Sequence, residues 1–463
     1  MSVKPRTAPV GGNTTARPTY QDIVAGDVIQ PPADLRRSAH SDLGVEGIDR
    51  ERYVSPAFHR LEVERMWSRV WQFACREEEI PEVGDLTVYE LADYSFIIVR
   101  ADRDTIKAYY NSCLHRGTKL CVSHTNVREL RCPFHGFTWS LDGALKEVPC
   151  RWDFPHVRDD AYRLPEAQVA TWAGFVFINM DLNAAPFEQY LEVLPAHMHD
   201  RRQQDLYIAG YGRKIVPANW KATMESFMEA YHIGELHHDT WKYQGADTTQ
   251  YDVFPGGRHV NRSLQPIAVP CREGHDDISE QEILDAWYRV VKGGSGPTLP
   301  SGMTARAFIA NWVRTLESNV SGNDYSKVSE AEAIDVMQYL LFPNMILFRG
   351  ISMPSHSIYR FRPNRNDPDS CIFDLIVLRH VPPGQPRPEP AEPIDMGSML
   401  YRDSGLLPDW LGNIYDQDMD NLYNLQQGLK AGRQPKITLS RYQEVRIRHF
   451  QQTLTSYIED AIG

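Results

Sequence analysis

Cys113-Leu-His115 and Cys132-Pro-Phe-His135 are separated by sixteen residues, and each string offers one thiolate and one imidazole. Turn residues follow both: Arg116-Gly117 after the first, Gly136 after the second. Two cysteines and two histidines in this order suit a [2Fe–2S] cluster in which imidazoles replace thiolates on one iron. Cys113 and Cys132 would hold one iron, His115 and His135 the other. Neutral imidazoles lower the negative charge on such a cluster. Its potential then lies at about −150 to +300 mV, against about −400 mV for an all-cysteine centre. A cluster of that kind accepts electrons from a reduced carrier and passes them on.

A structural zinc site groups like ligands, C-x2–4-C followed by H-x3–5-H, whereas here Cys and His alternate within each pair. Within the Rieske class, respiratory-complex proteins have further cysteines where this chain has Thr118 and Phe134. CPFHGFTW at 132–139, followed by Leu141-Asp-Gly143, resembles the soluble Rieske oxygenases instead.

The rest of the chain bounds the answer. With 463 residues, two or three domains are expected. Hydrophobic content of 42% and charged content of 24% are those of a globular protein in water. No run of 18 apolar residues suggests a membrane span, and the opening stretch has no apolar core of a secretory signal. Seven scattered cysteines do not form a disulfide framework, so a reducing cytoplasm is expected. A net charge of −12 disfavours nucleic acid as a partner.

Composition divides the chain into an arm at 1–48, a cluster-bearing β domain at 49–180 and a catalytic domain at 181–463. The Pro/Gly/Thr-rich arm is expected to be flexible or laid over a neighbouring subunit. A helical stretch from 51 leads into strands at 87–91, 96–100, 106–111 and 172–179. Beyond 180, helices are expected at 187–200, 219–238, 278–292, 302–317 and 328–335, and strands at 338–350, 357–362 and 371–380. Two further helices close the chain. The 240–330 region, with Gly-Gly-Ser-Gly at 293–296, is the expected place for a mobile lid.

A second metal site is suggested further on. Within the 219–238 stretch, Glu225, Met228, Glu229 and His232 recur at i, i+3, i+4, i+7, and His237 follows a bend at Gly234. Near the C-terminus Asp418 falls on the apolar stripe Ile414, Leu422, Leu425, Leu429, whereas Asp416 and Asp420 turn away by the helical period. An inward carboxylate is costly unless paired or bound to metal. Two histidines and one carboxylate leave positions open on a non-haem Fe(II). Met224, Phe227, Met228 and the 338–350 strand are candidate pocket walls.

From about residue 50 onward the layout resembles the α (catalytic) subunit of the Rieske non-haem iron, or ring-hydroxylating, oxygenases. The shared features are the four cluster residues, Asn219-Trp-Lys followed by acid-x-x-His-x4-His, and Gln417-Asp418 with Gly428 ten residues on. The resemblance implies an α+β chain: a small all-β Rieske domain and a helix-grip catalytic domain, an antiparallel sheet with helices. It implies that His232, His237 and Asp418 bind mononuclear Fe(II). It implies electrons from NAD(P)H through a reductase or ferredoxin, and a head-to-tail trimer. A homotrimer is expected, with an added β subunit as the alternative.

One position departs from the family. Glu229 stands where an aspartate usually links the cluster histidine of one subunit to the iron histidine of the next. Electrons would cross through His115 or His135, Glu229 and His232. Glutamate here resembles the branch that oxidises quaternary ammonium compounds. The expected activity is O2-dependent hydroxylation of an aromatic or other hydrophobic compound, as in aromatic hydrocarbon catabolism, by a dioxygenase or monooxygenase. The alternatives are oxidative N- or O-demethylation and, further off, a plain Rieske electron carrier.

Overall fold

The computed structural model describes residues 18–271, 278–352 and 356–460. Among these, a seven-stranded antiparallel sheet forms the first domain. Its order is Gln72–Arg76, Phe175–Asn179, Glu166–Trp172, Ile106–Tyr110, Tyr94–Arg100, Asp85–Leu91 and Thr125–Asn126. A three-stranded sheet (Leu130–Arg131, Thr138–Trp139, Leu145–Glu147) packs beside it and carries the second ligand string at its first turn. The two sheets enclose Leu86, Ile97, Val99, Trp139 and the side chains of Cys113 and Cys132.

The expected single strand at 172–179 is a hairpin. Ala173 (φ 54°) and Gly174 (φ 83°) reverse the chain, and Trp172 pairs with Phe175. The apolar run hid the turn because alanine gives no turn signal.

The second domain is built on an eight-stranded sheet whose long pair, Asp367–His380 and Leu206–Val216, lies toward one edge, with only Ile394–Asp395 beyond it. Gln250–Val253, Val260–Gln265, Val336–Leu341, Met345–Arg349 and Ser357–Asn364 complete one side in that order. The expected strand at 338–350 is therefore also a hairpin, turning at Phe342-Pro343-Asn344. Helices Glu280–Val291, Ala305–Ser321, Asp409–Ala431 and Val445–Asp460 pack around this sheet.

Much of the expected lid belongs to the scaffold, since 250–265 supplies two sheet strands. The helices Glu280–Val291 and Ala305–Ser321 pack on each other through Leu284, Trp287, Ile309 and Val313. The segment from Pro18 onward lies on its own catalytic domain, and residues 1–17 of the expected arm lie outside the described residues. Tyr20, Val24 and Leu35 are buried there against Leu264 and Met337. Asp27 and Asp335 both ion-pair with Arg306 at 2.6 Å, and Asp34 pairs with Arg349.

The two domains share one core. Trp67, ending the helical run that starts at Glu51, packs edge-on against Trp220 at 5.0 Å. Asp374, fully buried, accepts from Arg213, Arg360 and Arg362. Burial alone would raise its carboxyl; the three guanidiniums outweigh it and hold the group far below the usual range. Arg360 and Arg362 then reach across to the Ala74 and Glu90 carbonyls of the Rieske domain. Such a network resists dissociation of the domains, because removing one partner strands buried charge.

Candidate metal centres and substrate cavity

The two cluster strings fold into near-identical loops. Cys113 N–H donates to Thr118 C=O and Gly117 N–H to Cys113 C=O; Cys132 N–H donates to Phe137 C=O and Gly136 N–H to Cys132 C=O. Gly117 (φ 81°) and Gly136 (φ 77°) make both reversals in the left-handed region. The thiols are buried and touch each other. Burial pushes Cys113 up. Cys132 is penalised by burial too, but the Phe134 and His135 amides aimed at its sulfur bring it below the ordinary thiol value. Amides directed at sulfur favour a metal-bound thiolate. The His115 and His135 rings lie 4.6 Å apart, with Phe137 stacked on His115. Buried His115 Nδ1 has no hydrogen-bond partner, as fits a nitrogen shaped to ligate. These four side chains fit a [2Fe–2S] group.

The second centre starts at Asn219, whose side chain accepts from Lys221 N–H at 3.1 Å and caps Trp220–Glu225. The expected 219–238 helix stops there and resumes only at Ile233–Leu236. Two contacts favour the break. The Glu229 carboxylate accepts from His232 N–H at 3.0 Å, and Ala230 N–H donates to Tyr251 Oη at 2.9 Å, taking amides a helix would use. Glu225 therefore does not share a face with His232. It is buried on the other side, accepting from Tyr53 Oη at 2.9 Å and Gln451 Nε2 at 2.6 Å.

His232, His237 and Asp418 come together, with ligand atoms within 4.8 Å of one another. His232 Nε2 is 3.2 Å from His237 Nε2 and 3.7 Å from Asp418 Oδ1; His237 Nε2 is 3.1 Å from the same oxygen. Ligands ~2.1 Å from one ion at right angles lie roughly 3.0 Å apart. The outer ring nitrogens are engaged: His232 Nδ1 donates to Glu229 Oε1 at 2.7 Å, His237 Nδ1 to Gln417 Oε1 at 2.8 Å. That leaves both Nε2 lone pairs and a carboxylate facing one point, an arrangement a cation stabilises. Burial opposes charge on His232, but Glu229, with Asp418 behind it, raises the ring to about 9, so a metal taking Nε2 would displace a proton there. The residues fit a mononuclear metal of the two-histidine, one-carboxylate kind.

Asp416 turns away to accept from the Tyr401 and Arg402 amides, and Asp420 is exposed. Leu425, expected on the buried stripe, is 39% exposed. The metal-site residues open on a cavity of about 390 Å³, walled by Phe227, Trp287, Trp312, Phe348, Trp410 and Ile414 among others. Of the expected wall residues, Phe227 lines it and the 338–350 stretch supplies Gln338 and Phe348; Met224 and Met228 are core residues behind it. The sequence does not single out Gln417 as the support of His237, nor Tyr359 and Tyr415, which also line the cavity. Adjacency of Gln417 to Asp418 was the one available signal, yet helical neighbours point about 100° apart, so it did not foretell a shared site.

The Rieske [2Fe-2S] domain family matches residues 70–158, and the ring hydroxylating alpha subunit (catalytic domain) family matches 187–460. The biphenyl 2,3-dioxygenase subunit alpha of Rhodococcus jostii (strain RHA1) is 30% identical over 198 residues, 41% of this chain and 43% of that protein. The carnitine monooxygenase oxygenase subunit of Escherichia coli (strain K12) is 30% identical over 207 residues, 44% and 54% of the two. The chain thus spans about half the length of the curated relatives it matches. Two solved structures share the fold: a quaternary ammonium Rieske monooxygenase (TM-score 0.61, 18% identity, 90% and 96% covered) and naphthalene 1,2-dioxygenase from Rhodococcus sp. (0.60, 20%, 89% and 94%). Among the described residues no helix is long and apolar enough to cross a membrane. The loops at 113–118 and 132–137, the sheet that carries the cavity and the match over more than half the chain lead to one assignment: this chain belongs to the Rieske-type ring-hydroxylating oxygenase α subunits.

Proposed function

We propose that the chain is a cytoplasmic terminal oxygenase component that hydroxylates an aromatic or other hydrophobic organic compound with O2 and electrons from a reductase. The observation that carries this reading is the convergence of His232, His237 and Asp418 on the aromatic-walled cavity. A mononuclear Fe(II) held there would supply O2 activation, and a [2Fe–2S] group on Cys113, His115, Cys132 and His135 would supply electrons one at a time.

The chain's own residues do the rest. Gln417 and Glu229 fix the tautomer and tilt of His237 and His232. Phe227, Trp287, Trp312 and Trp410 exclude water and receive an apolar ring. Glu229 accepts from His232 through both carboxylate oxygens, Oε1 from Nδ1 and Oε2 from the backbone N–H, and the remaining lone pairs would meet His115 or His135 of a neighbouring copy in a head-to-tail homotrimer. Its extra methylene over aspartate lets it span a slightly wider junction. Demethylation of an amine or ether is the second reading, favoured by glutamate at 229 and by the similarity to carnitine monooxygenase.

The test is an absorption spectrum with metal analysis on purified protein. A red-brown protein with about three irons per chain is expected; about two irons leaves an electron carrier, and zinc with no colour refutes both. Glu229→Gln should keep both metals yet lower coupled turnover at least ~100-fold, a loss of about 3 kcal/mol. Wild-type turnover in that variant would remove Glu229 from the electron path.

A further inference from the structure

The wall that the sheet gives to the cavity has hydrogen-bond donors left over. Gln338 on Val336–Leu341 is paired in register with Ser263 on one side and Phe348 on the other, and its side chain is 7% exposed. Arg446, whose guanidinium can only donate, donates to Gln338 Oε1 at 2.7 Å. That contact sets the amide: oxygen toward Arg446, the Nε2 hydrogens away from it. Nε2 has no acceptor among the described residues, although Gln338 lines the cavity.

A second donor stands two strands away on the same wall. Phe348 packs against the Tyr359 ring at 5.0 Å, and Tyr359 Oη is hydrogen-bonded to Tyr415 Oη. Both phenols are buried and line the cavity. Burial, with the Asp418 charge beyond it, keeps both protonated. Two hydroxyls carry two hydrogens, and only one lies in their mutual bond. The other has no acceptor among the described residues, and Tyr415 precedes Asp418 by about one helical turn.

Against a cation stands an ammonium already in the lining, Lys292, although the Glu317 carboxylate also lines the cavity. Trp312, one of its indoles, already carries the Lys292 ammonium 4.1 Å from its ring centroid. Gln338 Nε2 is open to the cavity rather than sealed from it, so a ligand oxygen entering there can accept from it.

We propose that the substrate is a neutral ring compound bearing an acceptor oxygen of the ketone or amide carbonyl class, received by Gln338 Nε2, with the Tyr359–Tyr415 pair as a second donor. This rests on the oxygenase reading above and narrows its substrate; it stands against both a bare hydrocarbon and a quaternary ammonium compound.

The test is anaerobic calorimetry on holoenzyme with indane, 1-indanone and phenyltrimethylammonium. Wild-type protein should bind 1-indanone about tenfold or more tighter than indane, and tighter than the ammonium compound. Gln338→Glu keeps an acceptor for Arg446 but puts oxygen where the N–H was; it should abolish the preference for the ketone. Gln338→Met should bring 1-indanone to within about twofold of indane, with the visible spectrum unchanged as proof of folding. Tyr415→Phe should weaken the ketone by a few-fold and leave indane alone. Equal wild-type binding of ketone and hydrocarbon, no binding of either, tighter binding of the ammonium compound, or a preference that survives both Gln338 variants would overturn the proposal. Metal analysis of the same samples separates the two layers. Three irons with no ketone preference refutes only the substrate class, whereas absence of a third iron refutes the oxygenase.

Discussion

The loops at 113–118 and 132–137 and the pocket at 229–237 with 417–418 are ordered in opposite ways. In the loops the backbone does the ordering: paired amide bonds and two left-handed glycines make the same turn twice. The His115 ring has an unpartnered nitrogen, and its orientation depends on stacking. At the pocket the backbone is irregular and side chains do the ordering, with Glu229 and Gln417 each gripping the outer nitrogen of a histidine. One site is a rigid turn with ligands attached. The other is a hydrogen-bonded network assembled from residues 180 apart in the chain, as the His237–Gln417 bond shows. Loss of a ligand should therefore stay local in each, while loss of a supporting side chain should matter only in the second.

The sharpest break of that comparison is a pair of ligand removals. Cys132→Ser should remove the visible absorption entirely and spare the mononuclear iron; Asp418→Ala should do the reverse. Loss of both metals in either variant, read by spectrum and iron count, would show that the two sites are not independently ordered.

The next effect tests the support itself. Gln417→Leu leaves every ligand in place but frees His237 Nδ1, and metal affinity at the pocket should fall ~10- to 100-fold. Titration with Fe(II) under anaerobic conditions checks it, and unchanged affinity would mean the ring is held by packing alone.

The smallest effect concerns the ground behind the pocket. Burial pushes Glu225 up to about 7 despite its bonds from Gln451 and Tyr53. A glutamate in the unfolded chain titrates near ~4.3. Between those values the native chain keeps a proton that the unfolded chain has released, so stability falls as pH rises through the window. The full span is worth ~4 kcal/mol, and Glu225→Gln should remove it. Urea midpoints at pH 5 and pH 8 decide: an equal slope in wild type and variant would place the titration elsewhere.

The same contrast explains what could be read in the sequence. The first centre is local, so the spacing of Cys113, His115, Cys132 and His135 displays it without any fold. The second needs tertiary structure. Periodicity placed Asp418 on a buried stripe, and the structure brings it to the two histidines, but periodicity also put Glu225 beside His232, because a carboxylate taking up backbone amides leaves no trace in a helical pattern. Leu206–Val216 does not read as a strand because Gly210 and Gly212 dilute its apolar alternation; both lie close under Leu406, which would have to shift for a larger residue. The cavity donors were invisible for a related reason. Gln338, Tyr359 and Tyr415 become neighbours only when the strands align in register and the 409–431 helix docks on them.

The clasp at Arg306 reaches further than its location suggests. Asp27 and Asp335 grip the first turn of the helix that, further along, roofs the cavity with Ile309, Trp312 and Val313. The earliest described stretch of chain thus anchors one end of the helix that roofs the cavity. Deleting 18–35 should quicken amide hydrogen exchange in 305–321 and leave 94–110 untouched; equal protection with and without that stretch would show that the roof supports itself.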